Sequence, residues 1–369
     1  MTIASEKNSA DNIPDPAELS CACCPPRRGF LSRLAALGAA AVLPGELMAQ
    51  GANKAPAAAR GTPYRIDVHH HLMYPGYLED AGDRRAGSTF KWSPAMSIED
   101  MDKSGIAVSI MSLIQPSASM ADVEKGRRVA RLANEFGAQL ARDHKGRFGN
   151  FATLPLLDTE GALKEIGYAL DTLRADGIGL MTSYQDKYLG DAAFAPIWEE
   201  LNRRKAVIYT HPLSPECCRN VKTGVPPAVV EYATDTTRTI ASLVFSGTAA
   251  RYPDIRWIFS HSGGTMPFLL SRFTRQEIDL KEKAAERMPK GLMYELKKFY
   301  YDTAQGNHSG ALAALMKIVT PSQVLFGTDF PFRDGAEEIG GLTAFRFKPK
   351  DLRAIERGNA LKLIPTLKA

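Results

Sequence analysis

Short apolar runs and longer amphipathic stretches take turns along most of the chain. Strand-like runs fall at Tyr64–His69, Ile106–Leu113, Phe148–Pro155, Gly177–Thr182, Ala206–His211, Arg256–His261, Phe299–Thr303 and Gln323–Thr328. Between several of them, apolar positions recur at helical spacing over Asp122–His144, Thr159–Ala175, Phe194–Arg204, Thr236–Arg251, Thr265–Ala284 and Gly310–Val319. Strands alternating with helices imply a parallel sheet covered by helices. Eight such strands predict an α/β fold of the (β/α)8 TIM-barrel type. An open doubly wound sheet is the competing arrangement. It would bind a ligand at a switch point, and it gives no reason for the polar residues that end the first, fifth, sixth and eighth strands.

Those strand ends read Asp67-Val-His69-His70-His71, Tyr209-Thr-His211-Pro, Phe259-Ser-His261-Ser-Gly-Gly and Phe326-Gly-Thr-Asp329. They hold five of the chain's seven histidines, on the face where a barrel builds its active site. Imidazoles with one carboxylate suit zinc, and also manganese or iron. Side chains of a strand alternate, so His69 and His71 point one way and His70 the other. Asp67 falls on the side of His69, as a partner that would orient it. His211, set in Thr-His-Pro, reads as a ligand. His261 suits either a ligand or a proton-transfer residue. Asp329 reads as a ligand or proton donor in preference to a plain helix cap. The insert from Met73 to Ala95 carries Arg84, Arg85, Phe90 and Trp92, is too long for a turn, and is expected to act as a lid.

Composition changes this picture little. Hydrophobic residues make up 44% and charged residues 24% of 369, as in an ordinary globular protein. The net charge of +5 forms no basic stripe, which speaks against nucleic acid and weakly for an anionic small molecule. Beyond the N-terminal region no apolar run is long enough to span a membrane. Residues 1–50 read differently. Pro26-Arg27-Arg28-Gly29-Phe30-Leu31-Ser32, an apolar stretch from Leu34 to Leu43 and small residues near Ala49 predict a twin-arginine signal peptide and a periplasmic destination. Residues 51–63 read as a flexible linker and residues 64–369 as the barrel domain. Cys21, Cys23 and Cys24 belong to the leader, and the adjacent Cys217 and Cys218 make no disulfide framework.

From about residue 64 to 365 the chain resembles the amidohydrolase superfamily, in the branch of metal-dependent non-oxidative decarboxylases that includes aminocarboxymuconate-semialdehyde decarboxylase. The likeness rests on Ile66-Asp-Val-His-His-His71, the stretch from Asp235 to Thr248, Arg251-Tyr-Pro-Asp-Ile255, His261-Ser-Gly-Gly-Thr-Met-Pro-Phe268 and Leu325-Phe-Gly-Thr-Asp-Phe-Pro331. Gly224-Val-Pro226 and Phe299-Tyr-Tyr-Asp-Thr-Ala-Gln305 make it most similar to the 6-methylsalicylate decarboxylases. The resemblance implies that His69, His71, His211 and Asp329 hold the metal and that His261 handles a proton. It also implies that Arg272 reaches the neighbouring subunit's site in a homodimer. Many hydrolytic relatives bridge two metals with a carbamylated lysine at the end of the fourth strand. Here that strand ends Leu180-Met-Thr-Ser-Tyr184 and Lys187 stands too far along, so one divalent ion is expected, zinc first and manganese second.

The reaction this implies is loss of carbon dioxide from a 2-hydroxybenzoate-type acid, with 6-methylsalicylate to 3-cresol as its leading instance. The hydroxyl and carboxylate oxygens would chelate the metal, and Asp329 or His261 would protonate the ring carbon. Trp92, Tyr184 and Phe330 are candidate ring contacts, and Arg333 a candidate partner for the substrate carboxylate. A hydrolase or lactonase on the same scaffold is the alternative, since a fold does not dictate its chemistry. A non-catalytic secreted binding protein is the third reading.

Overall fold

The computed structural model describes residues 62–368, apart from residues 84, 89, 121, 216–217 and 219–222. The expected signal peptide, nearly all of the linker, Arg84 and Cys217 lie outside the described residues. Eight parallel strands follow one another around the sheet in chain order. They are β1 (Arg65–Leu72), β2 (Ile106–Leu113), β3 (Phe148–Thr153), β4 (Gly177–Met181), β5 (Val207–His211), β6 (Arg256–Phe259), β7 (Tyr300–Asp302) and β8 (Val324–Leu325). The segment after β8 returns to β1 and closes the circle. Val68 N–H donates to Phe326 O at 3.0 Å, Asp329 N–H to His69 O at 2.8 Å and His71 N–H to Phe330 O at 2.9 Å. Closure satisfies both sheet edges, which an open sheet leaves bare.

The core has two shells, as a barrel wrapped in helices requires. Ile66, Val68, Ile110, Phe151, Val207, Tyr209, Ile258 and Leu325 fill the inside. Phe151 and Tyr209 stack at 5.5 Å across its middle. The larger shell lies between sheet and helices and includes Trp198, Trp257, Phe259 and Leu296. The helix Val123–Asp143 matches its predicted span, with the Asp122 side chain accepting the Lys125 N–H as a cap. The stretch Thr159–Ala175 is less regular than predicted: an α-helix over Thr159–Gly167 runs into a wider turn over Tyr168–Thr172. Among the described residues no helix is long and apolar enough to cross a membrane.

One irregularity decides the site. Asp67 pairs with Ser109 and His70 with Met111, so β1 spends three steps where β2 spends two. The extra residue is a β-bulge, and it shifts the parity of everything after it. Ile66 and Val68 face the inside of the barrel. Strict alternation from there would turn His69 and His71 outward. With the bulge, His69 follows Val68 inward and its ring meets Tyr209 at 5.3 Å.

Candidate metal centre

Four imidazoles from three strand ends converge on one carboxylate. Asp329 Oδ1 lies 2.9 Å from His71 Nε2, 3.2 Å from His69 Nε2 and 4.0 Å from His211 Nε2. Its other oxygen, Oδ2, lies 3.3 Å from His261 Nε2. One ligand atom from each of His69, His211, His261 and Asp329 falls within a common 4.8 Å. His71 is outside that foursome yet makes the shortest contact of any imidazole to the same carboxylate. Backbone geometry delivers these groups. His261 and Asp329 both have positive φ, 54° and 67°, which turns each side chain out of its strand path and into the mouth. Gly327 is needed beside His69 and Asp302: a Cβ there would stand 2.8 Å from His69 Cβ.

The donor set fits a divalent cation. Nε2 of His69 and Nε2 of His211 are buried with no hydrogen-bond partner among the described residues. Their other nitrogens are engaged: His69 Nδ1 contacts Asp302 Oδ2 at 2.9 Å, and His211 Nδ1 contacts the Pro212 carbonyl at 2.8 Å. With the proton on Nδ1 in each, both Nε2 lone pairs face Asp329, the arrangement a metal ligand requires. Burial disfavours charge on His69, yet the Asp302 and Asp329 carboxylates push its pKa up to about 10. The two carboxylates thus favour positive charge beside His69, and a cation on Nε2 would answer the same field in place of a second ring proton. Burial, reinforced by His71 and His69, drives His211 well below the usual range, so it stays a neutral ligand. Burial opposes ionisation of Asp329, but the nearby His69 and hydrogen bonds with His261 and His71 hold its pKa well below the carboxylate norm.

The residue that orients His69 is Asp302 at the end of β7, where no metal-type residue was expected. Its Oδ1 also accepts the backbone N–H groups of His261 at 2.9 Å and Ala304 at 3.1 Å. Asp67, expected to orient His69, accepts its backbone N–H at 3.0 Å but gives its ring contact to His70. Asp67 Oδ2 lies 2.9 Å from His70 Nδ1 and accepts the Thr328 hydroxyl at 2.7 Å. The bulge is the reason, since it puts Asp67 and His70 on the same side of β1. Asp302 had one visible signal, its place in the Phe299–Gln305 stretch, but nothing local marks it as a partner of His69.

The expected substrate contacts fare less well. Tyr184 is fully buried in the outer core, where its hydroxyl accepts the Met181 N–H at 3.1 Å. Trp92 donates to Ser97 Oγ at 3.0 Å and sets its ring edge-on to Phe136 on an outer helix. Phe330 stacks on His70 at 4.8 Å, on the outer side of β1. Arg333 is largely exposed and pairs with Glu337 at 3.4 Å, one helical turn away. Each is therefore occupied away from the centre. Arg272 is exposed on the helix Leu270–Leu280 and does not join its own site. The aromatic rings beside the imidazoles are others. Phe332 stands edge-on to His71 at 5.8 Å, Phe90 stacks on Phe332 at 5.6 Å, and Tyr232 lies 6.0 Å from His211. Phe90 comes from the insert after β1. Arg85, paired with Asp83 inside the insert, ties it down by donating to Gln115 O at 2.7 Å.

A model of the amidohydrolase family matches residues 66–366. The chain is 37% identical over 326 residues to a decarboxylase of Penicillium terrestre, covering 82% of this chain and 95% of that one. It is 36% identical over 316 residues to 6-methylsalicylic acid decarboxylase of Penicillium expansum, covering 82% and 97%. Among solved structures, a dihydroxybenzoic acid decarboxylase from Polaromonas sp. JS666, with bound manganese and the inhibitor 2-nitroresorcinol, superposes with a TM-score of 0.72. That match covers 84% of this chain and 98% of the other at 22% identity, and so speaks for the fold. The chain belongs to the amidohydrolase family, in the branch that holds the 6-methylsalicylic acid decarboxylases.

Proposed function

We propose that this protein is a metal-dependent, non-oxidative decarboxylase of a 2-hydroxybenzoate-type acid, with 6-methylsalicylate to 3-cresol and carbon dioxide as the first candidate. The observation that carries the reading is the pair of buried Nε2 atoms, of His69 and His211, that face Asp329 with no hydrogen-bond partner among the described residues, in a chain whose relatives along nearly their whole length are decarboxylases. His69, His71, His211 and Asp329 would hold the ion. Three imidazoles and a carboxylate accept zinc or manganese, and zinc is the first expectation with manganese its competitor. When bound, the ion supplies Lewis acidity and a template for the substrate's oxygens.

His261 delivers the proton. It is the most open imidazole of the group, with 9% of its side chain exposed against 2% or less for the other three. A proton added at the ring carbon that bears the carboxylate turns the ring into an electron acceptor. The bond to the carboxylate then breaks, its electron pair restores aromaticity, and carbon dioxide leaves. Phe332, Phe90 and Tyr232 flank the centre with flat apolar faces that would take the ring. Arg272 completes the site of a second copy in a homodimer, and the twin-arginine leader directs export.

The test is carbon dioxide release from 6-methylsalicylate and other hydroxybenzoates by metal-loaded protein, beside a chelated control and with metal content measured. Release that disappears on chelation supports the proposal and ranks the acids. Metal-replete protein that releases none, yet opens lactones or esters, overturns it in favour of hydrolysis.

A further inference from the structure

The turn after β7 supplies no metal-type histidine, yet it touches His69, His261 and Asp329. Asp302 aims His69 and anchors the His261 backbone. Three residues on, the Gln305 side-chain amide donates a hydrogen bond to Asp329 Oδ2. Asp329 thus uses its two oxygens differently. Oδ1 faces His71, His69 and His211, while Oδ2 is shared between His261 and Gln305.

Gln305 is held for this task. Its φ is +49°, a left-handed conformation that a side-chain-bearing residue adopts only where its surroundings impose it. Its backbone N–H donates to Glu338 Oε1 at 2.9 Å. Glu338 is fully buried in the first turn of the helix Gly335–Phe345, and its Oε2 has no partner among the described residues. From the other side, Gly306 lies so close to Ser262 that a Cβ would stand 2.4 Å from its hydroxyl. The turn is clamped between Glu338 and the residue next to His261, so the amide has little room to swing.

We propose that Gln305, fixed by Glu338, is a positioning residue that sets the rotation of the Asp329 carboxylate, one oxygen toward the metal-binding imidazoles and the other toward His261. A carboxylate on a one-carbon stem turns readily about its last bond. A hydrogen bond from a clamped donor to one oxygen removes that freedom before the ion arrives, which is how partners behind a ligand raise metal affinity.

The inference rests on the centre holding a metal, and its test needs no substrate, so it stands or falls apart from the decarboxylase reading. Divalent-ion affinity of the full chain is measured with zinc and with manganese by competition against a chelator, alongside circular dichroism. Gln305→Ala should keep the fold and weaken affinity about 10–100-fold. Glu338→Leu should do the same, and Glu338→Gln, which keeps an oxygen for the Gln305 N–H, should restore what Glu338→Leu loses. Gln305→Ala with Glu338→Leu should be no weaker than Gln305→Ala alone, because both act through one contact. Folded Gln305→Ala with wild-type affinity overturns the proposal, as do additive losses in the double variant. If Glu338→Leu does not fold, Gln305→Ala and Glu338→Gln decide the matter between them. Wild-type protein that binds neither ion overturns the metal reading and this inference with it.

Discussion

Asp302 Oδ2 lies 2.9 Å from His69 Nδ1, both side chains fully buried, and this pair joins the end of β7 to the end of β1. It keeps the proton on Nδ1 and leaves Nε2 free to bind a cation. Asp302→Asn retains the shape and loses the charge that draws that proton. We expect metal affinity to fall about 10–100-fold while the fold persists. Chelator competition checks this, and an unchanged affinity would show that Asp302 is only scaffolding.

Holding the ion and moving the proton should separate by mutation. His211→Ala removes a buried donor and should leave the purified protein without its metal. His261→Asn should keep the metal and lose about 10²–10⁴-fold in kcat. Metal analysis beside steady-state rates distinguishes the two. Normal metal content in the first variant, or normal turnover in the second, would reverse the assignment.

Glu338 gives the protein a pH-dependent stability. Burial, with Asp302, Glu337 and Asp329 nearby, pushes its pKa from an ordinary 4.5 up to about 9 against the Gln305 N–H. Between those values the folded chain keeps a proton that the unfolded chain has lost. The contribution of this group is thus complete below the lower value and declines as pH rises toward the upper one, by at most about 1.4 kcal/mol per pH unit. Glu338→Gln should flatten that slope and gain most over wild type at alkaline pH. Denaturant unfolding from pH 5 to 9, with chelator present throughout, reads the difference. Parallel curves would mean that Glu338 titrates alike in both states.

Tyr184 offers a control on the site's extent. Its hydroxyl serves the Met181 N–H and its ring belongs to the core. Tyr184→Phe should cost about 1–3 kcal/mol of stability, the usual effect of leaving a buried donor unpaired, and leave KM for the acid unchanged. A several-fold rise in KM would return Tyr184 to the substrate.

Much of this was legible along the chain. Apolar runs at regular intervals predict the barrel, and the alternation holds because each strand must be buried on both sides. His69, His71, His211, His261 and Asp329 stand at strand ends, and a parallel barrel gathers all its strand C-termini on one rim, so their convergence follows from order alone. Aromatic contacts were harder to read. Trp92, Tyr184 and Phe330 look like Phe90, Phe332 and Tyr232 in composition, and only packing says which rings reach the mouth.

What the sequence by itself determined was therefore the architecture, the family and the identity of the groups at the rim. The tertiary structure alone decided how those groups are held. The bulge in β1 exists only in register against β2, and by shifting parity it brings Val68 and His69 inside together and hands Asp67 to His70. The bond from His69 to Asp302 spans 233 residues. Gln305 reaches Asp329 only because the segment after β8 comes back to β1. Alternation is a local rule, written in neighbouring residues. A register shift or a hydrogen bond across a closed barrel depends on partners that no local pattern names.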